Sequence, residues 1–451
     1  MNYKSFFKDK KITLMGLGIL GRGVGDAVFL AECGANLIVT DLKKEDDLKE
    51  SLSKLKNFKN ITFILGEHRL EDFRNRDFIL KGPNVPINSP HIAEARKNGI
   101  PIKMSASWFA EIAQIPFVGI TGTRGKSTTT EILHKIMKEA NMKVLLGGNV
   151  QGVSTLALLS EVSSDSIILM ELDSWQLAGF GERKISPQLG VFTTFFPDHL
   201  NYYGSMGAYL KDKAQIFLHQ KSEDTLVVST QVMPVLKETY GKKIISRVVI
   251  ADPVKFPKQW SMQVPGEHNK LNAECAIEAA RALGIDDRVI QKVVENFKGI
   301  PGRLEFLREI GGVRIYNDTT ATTPEATIAA LRALDSEEKK NIVLMVGGFD
   351  KGLDPRELWA EIPKHCKDKK IILLKMSGPD AESIDHHFHY HLNSTDSHGK
   401  LSDAVTEAMK VAEKGDIVLF SPAFASFGPP PGGFKNEYDR GEQFNVLVQQ
   451  L

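Results

Sequence analysis

One strand–turn–helix string in the middle of the chain restricts the fold more than any other feature. Gly119-Ile120-Thr121-Gly122-Thr123-Arg124-Gly125-Lys126-Ser127 follows an apolar run over residues 116–120 and opens a helical stretch over 127–140. Glycines between a strand and a helix let backbone N–H groups at the helix start face an anion, so the string implies a parallel α/β domain with a phosphate cradle. In that cradle Lys126 neutralises β/γ-phosphate charge, and the Ser127 hydroxyl can ligate Mg²⁺. The spacing is not that of the ordinary P-loop: five residues separate Gly119 from Gly125, and Ile120 stands where the first glycine belongs.

Short apolar runs alternate with helical stretches over most of the 451 residues. This is the rhythm of βαβ units, and it starts afresh three times. The first stretch places strands at 12–15 and 37–40 around a helix at 24–33, then a Pro/Asn-rich loop over 82–90. The second opens on the string above and has a buried-type strand at 167–170 ending on Glu171. The third places strands at 313–316, 342–346, 371–375 and 417–420. The economical partition is three consecutive α/β domains, residues 1–108, 109–299 and 300–451.

Charge and cysteine content narrow the class. Lys and Arg total 57 against 56 Asp and Glu, a net charge of +1. A general nucleic-acid binder needs a basic excess, so no nucleic-acid partner is expected. Cys33, Cys275 and Cys366 are too scattered for a disulfide framework or a paired-cysteine zinc site. No apolar run reaches the roughly 20 residues of a membrane span. The lysine-rich opening, broken by Gly16, Gly18, Gly21 and Arg22, does not read as a signal peptide. A cytoplasmic, monomeric enzyme is the expectation.

Gly16-Leu17-Gly18-Ile19-Leu20-Gly21 forms a second strand-to-helix turn, with Asp41 at the end of the next strand. This is the dinucleotide-binding pattern in its expected context. Its physics is generic: backbone N–H groups approach a diphosphate, and the acid takes a hydroxyl or amide-like group. A nicotinamide cofactor, a UDP-sugar, or a tight turn with no ligand all satisfy it.

The nine-residue string resembles the ATP loop of the Mur ligase superfamily, which also contains folylpolyglutamate synthases, with Arg124 in place of the usual Asn. Further segments follow in the family's order over nearly the whole chain. Gly147-Gly148-Asn149 resembles a turn near metal and substrate. Met170-Glu171-Leu172-Asp173-Ser174-Trp175-Gln176-Leu177 resembles a segment whose glutamate holds Mg²⁺. Pro197-Asp198-His199-Leu200 resembles a metal-site motif, with Asn201 replacing Asp. Lys213 falls where the family carbamylates a lysine, and Lys211 competes for that place. Gly266-Glu267-His268-Asn269-Lys270-Leu271-Asn272-Ala273 resembles a nucleotide-side motif. Pro301-Gly302-Arg303-Leu304-Glu305 resembles the linker into the last domain, with Gly302 replacing His, and Asn317-Asp318 a ribose contact.

The resemblance implies an N-terminal Rossmann-like UDP-binding domain, a central P-loop-type ATPase and a C-terminal Rossmann-like domain. It implies an ATP-dependent, ADP-forming ligase with Mg²⁺, two ions and a carbamylated Lys213 being expected. ATP binding falls to Gly122, Thr123, Arg124, Gly125, Lys126, Ser127, Thr128, Asn269, Arg303 and Asp318. The metal falls to Ser127, Glu171, His199 and Lys213, and catalysis to Lys126, His199 and Lys213. The UDP-linked substrate falls to Gly18, Ile19, Leu20, Asp41 and Asn149. Domain closure with hinges near Phe109 and Ile300 would bring Arg303 to the phosphates.

Gly347-Gly348-Phe349-Asp350-Lys351, Ser421-Pro422-Ala423-Phe424-Ala425-Ser426-Phe427 and Phe434-Lys435-Asn436-Glu437-Tyr438-Asp439-Arg440-Gly441 resemble the family's D-glutamate-adding branch. The acceptor would be UDP-N-acetylmuramoyl-L-alanine, and Thr322, Lys351 and Ser426 would hold the glutamate. A cation with hydroxyls suits an anionic amino acid. The departures are Thr320 for Lys, a proline-rich loop over 428–433, and Lys81-Gly82-Pro83-Asn84-Val85-Pro86 beside the uridine diphosphate. An L-glutamate-adding relative and a folylpolyglutamate synthase-like ligase are the alternatives. Finally, Asp385-His386-His387-Phe388-His389-Tyr390-His391 has a metal-rich look, but alternation of His387, His389 and His391 reads as one face of a solvated edge strand.

Overall fold

The apolar runs become strands packed on both faces, as in β14 below, where Ile342 through Val346 are all fully buried. Each such side chain contributes about 1.5–3 kcal/mol relative to exposure. The computed structural model describes residues 2–19, 21–83, 85–86, 88–150, 152–335, 341–367, 370–426 and 434–451, with Asn201 described by its backbone alone. Leu20, Asn84, Phe427 and the loop over 428–433 lie outside the described residues.

The strands form three sheets. In the first, β1 (Lys11–Met15), β2 (Asn36–Asp41), β3 (Ile61–Leu65), β4 (Phe78–Lys81) and β5 (Ile102–Lys103) take the order β3-β2-β1-β4-β5, all parallel. The order reverses at β1, so a crevice opens at its carboxyl end, where Gly16–Gly21 lies. In the second, β6 (Phe117–Thr121), β7 (Val144–Gly148), β8 (Ile167–Glu171), β9 (Leu189–Phe192), β10 (Thr225–Ser229) and β11 (Arg247–Ala251) take the order β11-β10-β9-β6-β8-β7, again all parallel. Here β6 sits between β8 and β9, and the phosphate loop leaves its carboxyl end.

The third sheet holds β12 (Glu305–Ile310), β13 (Val313–Asn317), β14 (Ile342–Val346), β15 (Ile371–Leu373) and β16 (Ile417–Phe420), ordered β12-β13-β16-β14-β15. β12 is an antiparallel edge with an irregularity between Phe306 and Arg308; the other pairs are parallel. The chain divides into two compact units: Met1–Pro257 with Leu271–Val293, holding the first two sheets, and Lys258–Lys270 with Val294–Leu451, holding the third.

The histidine tract is a helix, Ala381–His391, and not an edge strand. Ile384 and Phe388, four residues apart, are the buried pair that sets its period, and the alternating histidines give way to it. Its rings stack: Trp359 on His387 with centroids 3.7 Å apart and planes at 16°, and His387 on His391 at 4.8 Å and 30°. Imidazole lone pairs lie in the ring plane, so rings held face to face do not aim them at one ion. Among the described residues no group of three His, Cys, Asp or Glu is placed to hold a metal.

Candidate active site

The phosphate loop is built from glycines that nothing else can replace. Gly122 has φ +153°, and a Cβ there would lie 2.0 Å from Thr193 Oγ1. Gly125 has φ +85°, and its Cβ would lie 2.1 Å from Asn272 Oδ1. Between them the backbone is laced to the end of β9: Thr123 N–H donates to Thr194 O at 2.7 Å, Arg124 N–H to Thr194 Oγ1 at 2.8 Å, and Thr193 Oγ1 to Arg124 O at 2.6 Å. The helix Lys126–Glu139 starts directly on Gly125, so Lys126, Ser127 and the buried Thr128 occupy its first turn, at the positive end of the helix dipole.

Three cations converge on this loop. Lys126 Nζ donates to Gly122 O at 3.0 Å and Thr123 O at 3.2 Å, and Lys213 Nζ donates to Gly122 O at 2.8 Å. Lys213 is 1% exposed at the end of the helix Met206–Lys213, with its ammonium 4.8 Å from the centre of the Tyr209 ring. Burial first, and the Lys126 charge second, hold its pKa well below that of a free lysine. The third cation, Arg124, pairs with Asp198 at 2.9 Å. Burial pushes the Asp198 carboxyl up, but Arg124 and His199 more than offset this and leave it below its usual range. The charge added by the Asn-to-Arg departure is thus matched by the neighbouring motif.

Glu171 ends β8 beside β6, paired with Ile120, and is 6% exposed. Its carbonyl accepts from Asn149 N–H at 2.6 Å. Gly148, at φ +86°, allows this approach, since a Cβ would stand 2.1 Å from that carbonyl. His199 adopts φ +53° and begins the short helix Leu200–Tyr203; its ring packs on Trp175 with centroids 4.6 Å apart. Burial holds the imidazole below its usual pKa against the pull of Asp198, which favours the neutral form that ligates metals. Trp175 is fixed by its own helix, Ser174–Arg183, whose start is closed by a reciprocal Asp173–Gln176 capping box.

The sequence reading gave the asparagines of the Gly266-to-Ala273 motif a nucleotide-side role but singled out only Asn269. Of the two, Asn272 is the one that meets Gly125, and its carbonyl accepts from Thr129 Oγ1 at 3.1 Å. Asn269 belongs to the other unit, where its Nδ2 donates to Pro265 O at 2.7 Å. The signal was present, because the motif holds both residues three apart, on adjacent turns of one helix.

At the first turn Asp41 braces the backbone: Oδ2 accepts from Gly18 N–H and Oδ1 from Lys43 N–H, both at 2.9 Å. Ile19 is 48% exposed. Lys81, in the departing loop, donates to the carbonyls of Gly82, Pro83 and Val85 at 3.3, 3.5 and 3.0 Å. Burial lowers its pKa to about 8.

In the other unit Asp318 is buried, its carboxylate accepting from Leu304 N–H at 3.0 Å and Ser421 Oγ at 2.7 Å. Burial pushes it up to about 7 against those two bonds and the charge of Arg303. Two departures from the family motif meet here. Thr320 Oγ1 donates to Gly302 O at 2.9 Å, and a side chain at Gly302 (φ +71°) would press within 2.8 Å of Thr319 Cγ2. Thr322, Lys351 and Ser426 follow the carboxyl ends of β13, β14 and β16, three adjacent strands, where open α/β sheets bind ligands. Asp350 fixes the Lys351 loop by accepting from Gly352 N–H at 2.8 Å and Asp380 N–H at 3.1 Å. The Ser426 hydroxyl is buried with no hydrogen-bond partner among the described residues. The fully buried Arg440 ties Thr319 to Phe424.

Three family profiles match in order: the Mur ligase MurD-like N-terminal domain over 10–104, the Mur ligase middle domain over 120–252 and the Mur ligase glutamate ligase domain over 302–424. The UDP-N-acetylmuramoylalanine–D-glutamate ligase of Roseiflexus sp. (strain RS-1) is 35% identical over 474 residues, covering 98% of this chain and 99% of that protein. Two solved structures share the fold. The UDP-N-acetylmuramate–alanine ligase MurC of Thermotoga maritima has a TM-score of 0.61 at 17% identity, covering 98% of this chain and 99% of that one. The MurF ligase of Thermotoga maritima, solved in complex with ADP, has a TM-score of 0.59 at 18% identity, covering 92% and 96%. The chain belongs to the Mur ligase family, in its MurD branch.

Proposed function

We propose that this chain joins D-glutamate to UDP-N-acetylmuramoyl-L-alanine with cleavage of ATP to ADP and phosphate, supplying a peptidoglycan precursor. The observation that carries the reading is the meeting of Lys126, Lys213 and Arg124 on one glycine loop beside the buried end of β8. The acceptor carboxylate attacks the γ-phosphate, its O–P bond forms, and ADP leaves. The amine of glutamate then attacks the acyl carbon, the C–N bond forms, phosphate leaves with the bonding pair, and the nitrogen gives up a proton to it. A carboxylate is a poor electrophile, and phosphorylation provides the leaving group. The meeting anions repel one another, and Lys126, at the positive end of the helix that starts on Gly125, offsets that charge.

The donor set fits Mg²⁺. Ser127 stands in the first helical turn, Glu171 is a buried carboxylate at a strand end, and His199 is held toward its neutral form. The ion would supply Lewis-acid neutralisation of phosphate oxygens. Two of these ligands are His or Glu, and carbamylation of Lys213 would complete the set. Its buried amine, pressed toward neutrality beside Lys126, is nucleophilic toward CO₂: the N–C bond forms, a proton leaves, and a cation becomes an anion among cations. We assign glutamate to Thr322, Lys351 and Ser426, the nucleotide also to Asn269, Asn272, Arg303 and Asp318, and the UDP end to Gly18, Ile19, Asp41 and Asn149. We also place the boundaries near residues 108 and 299, and the reaction in the cytoplasm by a monomer. No helix among the described residues is long and apolar enough to cross a membrane.

The test is phosphate release from ATP with each substrate omitted in turn. Release that needs both UDP-N-acetylmuramoyl-L-alanine and D-glutamate is expected. Turnover with L-glutamate instead would overturn the stereochemical assignment, and release without any amino acid would overturn the ligase itself.

A further inference from the structure

We infer that Arg22 is a positioning residue that makes Asn149 a hydrogen-bond donor toward the UDP-linked substrate, an inference that rests on the proposed function. The helix Arg22–Glu32 leaves the first glycine turn and lies directly on the segment after the Gly147-Gly148-Asn149 turn. Glycines make this closeness feasible: a Cβ at Gly21 would stand 3.3 Å from Gly152 Cα, and one at Gly25 would stand 2.6 Å from Ser154 Cβ. At this junction Arg22 Nη1 donates to Asn149 Oδ1.

A guanidinium carries five N–H donors and no acceptor, so only the carbonyl end of the amide can face it. The NH₂ end of Asn149 is thereby turned away from Arg22, and it makes no hydrogen bond among the described residues. The backbone of Asn149 is fixed independently by its N–H bond to Glu171 O. Arg22 is balanced by the buried Asp26, which accepts from Ser105 Oγ at 2.7 Å and Ser154 Oγ at 2.5 Å. Those hydroxyls in turn accept from Leu156 N–H and Ala157 N–H, both at 3.1 Å, so the network also anchors the chain just beyond Asn149. Asn149 is left offering two N–H groups. Diphosphate and carboxylate oxygens of the proposed substrate accept hydrogen bonds and donate none, so this orientation is the productive one. Without Arg22 the amide can turn its carbonyl toward those oxygens, leaving a donor-seeking anion unpaired.

Calorimetric binding of UDP-N-acetylmuramoyl-L-alanine and steady-state kinetics test this on the full chain. Arg22→Met should weaken binding and raise KM for this substrate about tenfold, the scale of one charge-assisted hydrogen bond. It should leave kcat and the KM for ATP within about twofold. Arg22→Lys, which still donates, should recover most of the loss. In an Asn149→Ala background Arg22→Met should cost little more, because the effect runs through Asn149. Equal binding by wild type and Arg22→Met overturns the inference alone, as does an equal rise in both KM values or a full loss in the Asn149→Ala background. Absence of binding by the wild type overturns the functional reading with it.

Discussion

The two glycine turns of the first unit have the same backbone logic and opposite electrostatics. Both leave the carboxyl end of a strand at a reversal of strand order, and both use glycines at positive φ to begin a helix. In the first turn the residue that touches the backbone is an acid, Asp41, which takes the N–H groups of Gly18 and Lys43. In the second, Lys126 and Lys213 take the loop carbonyls. Cations bound to carbonyls add positive charge beside the loop. An acid bound to N–H groups braces the turn and adds negative charge beside it. The same backbone geometry thus serves two turns of opposite charge, and the proposed chemistry is assigned to the second.

The strongest way to break that contrast is Lys126→Ala. Removing the loop's charge should lower kcat by about a thousandfold or more, the scale of losing one preorganised electrostatic contact. Phosphate release near the wild-type rate would show that the cations are structural. Next comes Lys213→Ala, expected to cost about a hundredfold, as loss of a metal-site group does. Short carboxylic acids should restore part of the activity if a carbamate is what is missing; rescue by short amines instead would assign Lys213 a role as a cation.

The smallest effect concerns stability on the side of the first turn. Burial pushes the Asp26 carboxyl up from 3.8 to about 6, against its two serine hydroxyls and Arg22. The folded state thus holds a proton that the unfolded chain releases. The stabilisation is complete below about pH 4 and is lost as pH rises through about 6, with an upper bound of about 3 kcal/mol from linkage. Denaturant unfolding from pH 4 to 8 should show this slope in the wild type and lose it in Asp26→Asn. An unchanged slope in the variant would assign the dependence to another group.

Much of the architecture was legible because strand burial and glycine turns are local. β14 and β16 have the bounds that their apolar runs predict, and β8 ends on Glu171 as expected. The histidine tract was misread where two periodicities competed, and the buried Ile384–Phe388 pair prevailed over alternation on the exposed side. Asn272 was not told apart from Asn269 because a motif names residue types and does not say which side chain faces the loop; helix phase decides that. The neutralisation of Arg124 by Asp198 joins a departure to a motif residue far along the chain, and the fit of Thr320 to Gly302 joins two departures.

The sequence by itself determined that the chain carries two glycine turns between a strand and a helix and a set of strands buried on both faces. These follow from side-chain chemistry and near-neighbour spacing. Tertiary structure alone decided which groups share an environment. Lys213 lies 91 residues from the carbonyl it binds, and Arg22 lies 127 from Asn149. Burial and the field of neighbouring charges set the protonation of Lys213, His199 and Asp318. Those forces act through space, and they have no value until the chain has folded.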